Sequence, residues 1–211
     1  MSKGSFGGAF KRIKDALSGK PAQGNDTASA KGNKYLEPEK GPLDVQFARE
    51  FTEATGKFLY CEHEAELVES LHRLSLEYNW TTVYARENEL SSILQRANID
   101  FDTEDRNADA FVSTCAFLSA YDGGIVVSST QTGGEKLNCF PSTHIVIAYT
   151  SQLHKNLSEG MRWFKSQSED IPSNITTVQV NKIENTSGIR REYDPAVHHD
   201  VFLLLVEDQA T

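Results

Sequence analysis

Apolar residues recur every three or four positions in some stretches of the chain and run together in short blocks in others. The two patterns alternate. Between residues 43 and 55, Phe47, Phe51 and Ala54 fall on one helical face, and Gly56 supplies a stop. Lys57 to Cys61 is a short apolar block that reads as a buried strand. Residues 64–78 then place Leu67, Leu71, Leu74 and Tyr78 on a single face, which predicts a second helix. A strand over 81–85 and a helix over 87–97 repeat the pair.

The second half continues the theme. Ala110–Val112, Gly124–Ser128 and Thr143–Tyr149 read as strands, and 116–121 as a short helix or turn. A helix over 151–165 carries Leu153, Leu157, Met161 and Phe164, and strands over 176–180 and 201–206 close the chain. These strands are continuously apolar, as strands buried on both faces are. Alternating strands and helices predict an α/β fold: a three-layer, Rossmann-like domain with a mostly parallel sheet.

Residues 1–42 break the pattern. They are rich in Gly, Ser, Ala, Asn and Lys and end in Gly41-Pro42, the composition of a flexible tail ahead of a body spanning 43–211. Within the tail, Phe6, Phe10, Ile13 and Leu17 keep helical spacing with Lys11, Arg12 and Lys14 between them. That pattern suits either a surface-docking helix or a segment that contacts nothing. The net charge of the chain is -9. Residues 1–40 hold eight Lys/Arg against four Asp/Glu, or +4, so the other 171 residues carry -13. An acidic body repels phosphate backbones and argues against nucleic acid as a partner.

Cys61, Cys115 and Cys139 are too few and too scattered for a disulfide framework, and no C-x-x-C pair exists. No iron–sulfur cluster or structural zinc is therefore expected within this chain. No apolar run reaches the roughly 18 residues that span a bilayer, and the basic N-terminus lacks the apolar core of a secretory signal. A cytoplasmic setting is the resulting expectation. Dinucleotide, P-loop, metalloprotease and nucleophile-elbow motifs are all missing. Cys61 with His63, and His198 with His199, offer too few ligands for a metal site.

The informative stretch runs from Phe111 to Tyr149. Asp122-Gly123-Gly124 precedes an apolar strand, where a glycine pair permits positive φ or close approach of a ligand to the backbone. N–H groups of such a turn hold anions, although the same glycines serve a plain hairpin equally well. Ser128 and Ser129 follow the strand, at the edge where α/β sheets bind ligands, and Lys136 offers a positive charge. His144, among apolar neighbours, reads either as a buried, hydrogen-bonded core residue or as a ligand or proton-transfer group beside the turn. Trp80 and Trp163 read as core or partner-facing anchors.

The same stretch resembles the signature of the lactate-utilisation (LUD, or LutC/YkgG) family, I-T-G-A-D-F-A-I-A-E-T-G-T-L followed later by L-P-P-x-H-I. Phe117, Ala120 and Gly123 match the first block; Leu137, Pro141, His144 and Ile145 match the second. The closing strand Val201–Val206, with Glu207 and Asp208 after it, is also similar to the family's C-terminal strand. The departures are polar. The family's Asp falls on Ala116, its Glu on Tyr121, and its two Thr on Asp122 and Gly124. A tyrosine cannot replace a carboxylate as proton acceptor or nucleophile near neutral pH. The family's later S-[KR]-T-A-D-I-E block is reduced to Asn185–Arg190.

The resemblance implies a fold of the isomerase/CoA-transferase-like α/β superfamily and an association with L-lactate oxidation. It further implies an accessory or ligand-binding subunit, with iron–sulfur clusters confined to partner oxidoreductase subunits. An enzyme or sensor binding a small carboxylate, acyl-CoA or sugar phosphate at the Asp122-Gly123-Gly124 turn is the alternative.

Overall fold

The computed structural model describes residues 41–167, 172–178 and 200–208. The tail pattern from Phe6 to Leu17, the stretch Asn185–Arg190 and the pair His198-His199 lie outside the described residues.

The chain begins with α1 (Leu43–Glu53), β1 (Lys57–Cys61), α2 (Glu64–Glu77), β2 (Thr82–Tyr84), α3 (Leu90–Arg96), β3 (Asp100–Asp102) and β4 (Ala110–Ser113). It continues through β5 (Phe117–Ser119), β6 (Gly124–Val127), the single turn α4 (Ser129–Thr132) and β7 (Thr143–Tyr149). The short β8 (Leu153–His154), α5 (Leu157–Gln167), β9 (Thr176–Val178) and β10 (Asp200–Val206) complete it.

Six strands form one parallel sheet in the order β1-β10-β7-β4-β2-β3. Its two faces are read off alternate residues of the central strands. Ile145, Ile147, Phe202 and Leu204 face one way and pack with Leu67, Leu71 and Leu74 of α2 and Leu90 and Leu94 of α3. Val146, Ala148, Leu203 and Leu205 face the other way, onto Phe47 and Phe51 of α1. That is why both strands are apolar at every position from Ile145 to Ala148 and from Val201 to Val206.

A second sheet, β8-β5-β6-β9, shares the layer of α1. Leu118, Ile125 and Val127 point from it into the core of the large sheet. Phe117 and Val126 point outward, under Met161, Trp163 and Phe164 of α5. The three layers of the Rossmann-like arrangement are therefore α2 and α3, the parallel sheet, and α1 with the small sheet, over which α5 lies.

The small sheet is where the elements differ from the periodicity. Residues 117–119 form strand β5, antiparallel to β6, instead of a helix or turn. Both faces of β5 are buried, and three residues are too short a run for either period to show. The helix expected from 151 starts at Leu157, because Asn156 caps it: its side-chain oxygen accepts the N–H of Glu159 at 3.0 Å. The preceding Leu153-His154 pairs with β5 instead.

Candidate functional site

In an open α/β sheet the ligand crevice opens at the C-terminal strand ends, where the chain's direction of travel across the sheet reverses. Here the chain leaves β2 through α3 toward β3 on one side, and leaves β4 toward β7 on the other. The crevice therefore lies beyond the ends of β2 and β4, and Glu87 and Thr114 meet there. One carboxylate oxygen of Glu87 accepts the Thr114 N–H at 2.7 Å, and the other accepts the Thr114 hydroxyl. Gln131 of α4 donates its amide to the same hydroxyl oxygen at 3.1 Å. The Gln131 carbonyl accepts from both the N–H and the hydroxyl of Ser128, each at 3.0 Å. A continuous hydrogen-bond chain thus ties the end of β2 to the end of β6. Burial pushes the Glu87 carboxyl above its ordinary range, and the bonds from Thr114 oppose that shift.

Beside this chain is a cleft of about 420 Å³. Its floor is Thr114, Cys115, Ala116 and Ile147; Glu89, just ahead of α3, and Leu90 of α3 line one side, and α5 contributes Trp163 and Phe164. Gln152 braces the floor, donating to the Cys115 carbonyl at 2.8 Å and accepting the Tyr149 N–H at 2.8 Å. Cys115 is 3% exposed. Burial, helped by the charge of Glu87, pushes its thiol well up, so it stays protonated and is no nucleophile. The Tyr149 hydroxyl is likewise raised, first by burial. Behind the cleft, the ring of His154 lies 4.7 Å from that of Trp163 and fixes the indole. Burial lowers the His154 pKa, and its Nε2 finds no hydrogen-bond partner among the described residues.

The residues singled out from the sequence are distributed over four places. Asp122 is exposed in the β5–β6 hairpin, where it accepts the Ser119 hydroxyl at 2.5 Å. Gly123 has φ 65°, and the backbone that approaches it is that of α1: a Cβ there would stand 2.5 Å from the Phe51 nitrogen. Gly124 opens β6 next to the Asp122 carboxylate. Ser128 caps α4 at the far end of β6, with Ser129 following, and this pair borders the cleft through Thr130 and Gln131. Lys136 is exposed, ahead of a short 3-10 turn over Leu137–Cys139.

His144 is fully buried at the start of β7. Its Nε2 lies 2.8 Å from the Ser113 hydroxyl and its ring stacks on Phe111 at 4.5 Å. Tyr149, at the cleft, stands five residues further along the same strand, roughly 16 Å away at about 3.3 Å per residue. The hairpin turn lies at the opposite end of β6 from Ser128, and His144 is bonded to Ser113, the residue before Thr114. Glu87, Thr114, Gln131, Tyr149 and Trp163 were not singled out for chemistry; their signal is that the first four follow or end apolar strand blocks at one edge of the sheet. Among the described residues no group of three or more His, Cys, Asp or Glu could hold a metal ion, and no helix is long and apolar enough to cross a membrane.

Comparison with known proteins bears on the same region. Residues 77–199 match the LUD domain, over more than half of the chain's 211 residues. The fold is similar to that of a DUF162 family protein from Deinococcus radiodurans, with a TM-score of 0.58 and 16% identity over 79% of this chain and 96% of that one. No curated protein matches the chain.

Proposed function

The chain belongs to the LUD-domain family, related to lactate-utilisation proteins, and from that premise we propose that it is an accessory, ligand-binding subunit of an L-lactate oxidation system. Iron–sulfur oxidoreductase subunits supply the redox chemistry, and this subunit holds a small ligand at the C-terminal edge of its sheet, in the cytoplasm. The carrying observation is the state of the carboxylates. At the family's Asp position Ala116 forms part of the cleft floor at 5% exposure, and at its Glu position Tyr121 stands in the hairpin at 52% exposure. Glu87 lies behind the floor, with both oxygens bound to Thr114. It props the cleft from behind Thr114 and does not line it, which favours holding a ligand over turning one over.

Deletion and complementation test the reading. A host lacking the protein should lose growth on L-lactate and recover it with the wild type. Ala116→Phe, which fills the cleft floor, should fail to restore it while accumulating as folded protein. Undiminished growth of the deletion strain on L-lactate would contradict the proposal.

A further inference from the structure

We propose that the cleft takes a flat nitrogen heterocycle, neutral or positively charged, and turns away small anions, L-lactate included. This rests on the cleft being the ligand site; it does not rest on the redox partners. Three features carry it.

The first is charge. Among the described residues no Lys, Arg or His lines the cleft, and the charged one that does is Glu89. Glu87 adds a second carboxylate directly behind Thr114. Arg86, next to it in sequence, packs its guanidinium against Gly133, within the field of Glu135. Among the described residues an anion in the cleft would thus meet two acidic groups and no lining cation, an unfavourable balance at short range.

The second feature is the wall. Trp163, Phe164 and Tyr149 present three aromatic side chains to one cavity. Aromatic faces stack on flat heterocycles, and their negative faces attract a cationic ring further. Trp163 is set for this because His154 packs on it at 4.7 Å. A volume of about 420 Å³ accommodates a two-ring ligand and exceeds what a three-carbon acid fills.

The third is which polar groups remain for a ligand. Thr114, Gln131 and Gln152 spend their side chains on one another and on the backbone. Of the other polar lining residues, Glu89, Thr130 and Gln167, Glu89 carries the charge and only accepts, so beside it a ring that offers N–H donors is favoured.

The test uses the full-length protein and four probes: adenine, 4-aminopyridine, benzoate and L-lactate, followed by calorimetry and by tryptophan fluorescence. Adenine and 4-aminopyridine should bind and quench, and benzoate and L-lactate should not bind. Trp163→Ala should weaken adenine about tenfold, whereas Trp163→Phe, which keeps a ring in place, should retain binding and serves as the folding control. Glu89→Gln should weaken 4-aminopyridine about two- to fivefold, as loss of an exposed ion pair does, and leave adenine unchanged. Tighter binding of L-lactate or benzoate than of either heterocycle would overturn the inference while leaving the accessory role standing. So would heterocycle binding indifferent to Trp163→Ala, or no heterocycle binding at all. Selective heterocycle binding by a protein that lacks redox partners would support the inference and remove the accessory role.

Discussion

Glu87 accepts two hydrogen bonds from a single residue, Thr114: its backbone N–H, at 2.7 Å, and its hydroxyl. Thr114 directly follows β4 and Glu87 lies three residues past the end of β2, so the pair staples the exits of the two strands beyond the point where the ladder between them stops. Glu87→Ala leaves the Thr114 N–H without that acceptor and should cost about 1–3 kcal/mol in chemical denaturation. Glu87→Gln keeps an acceptor oxygen and should cost less.

The same pair gives a pH signature. Burial raises the Glu87 carboxyl above its ordinary 4.5. A raised folded-state pKa means a contribution fully present below the unfolded value and lost as pH rises through the folded one. The wild type should therefore gain on Glu87→Gln as the solution is acidified toward pH 4.5. A stability difference that stays flat with pH would show the carboxylate to be freely solvated.

Gly123 should tolerate no side chain. Its φ of 65° disfavours L-residues, and a Cβ would meet the α1 backbone at 2.5 Å from the Phe51 nitrogen and 2.8 Å from the Glu50 carbonyl carbon. Gly123→Ala should cost more than about 2 kcal/mol and lower Tm by about 5 °C or more. Gly134→Ala, also at positive φ but 3.4 Å from a single side-chain nitrogen, should cost less. Equal losses at both glycines would mean that α1 does not press on the hairpin.

His154 sets an acid limit on stability. Burial depresses its folded pKa below the unfolded value of 6.5, and Glu159 opposes this only in part. Its contribution is complete above pH 6.5 and lost as pH falls through the folded pKa, because the unfolded chain binds the proton first. The slope should reach at most about 1.4 kcal/mol per pH unit. His154→Phe, which keeps a ring against Trp163, should flatten that part of the profile in urea titrations between pH 7 and 5.

His144→Phe separates the core from the cleft. It preserves the stack on Phe111 and gives up the bond to Ser113, a loss of about 1 kcal/mol. His144 is bonded to Ser113, the residue before Thr114, but does not itself line the cleft, so the variant should still support growth on L-lactate, whereas Ala116→Phe should not.

The large sheet was legible because its strands are buried on both faces and its helices on one; Thr143–Tyr149 and Leu67-Leu71-Leu74 announce themselves at those periods. The small sheet was not, because β5 and β8 are two or three residues long and take their strand character from pairing partners distant in sequence. Nor was β3, whose Asp-Phe-Asp sequence lies at a sheet edge. The glycine pair drew attention for the backbone freedom it permits and His144 for its apolar neighbours, yet Gly123 accommodates a helix and His144 is held by Ser113 and Phe111. Glu87 and Trp163 are common on helical patterns; only the assembled sheet, with its reversal of connectivity between β2 and β4, sets Glu87 behind Thr114 and Trp163 in the wall of the cleft.

If this chain is, as proposed, an accessory subunit in L-lactate oxidation, its partners should co-elute when the tagged full-length protein is purified from its own cells grown on L-lactate and the eluate is identified by mass spectrometry. The expected partners are cysteine-rich iron–sulfur oxidoreductase subunits, enriched over an untagged control. Recovery of the protein alone under matched washes would contradict the proposal.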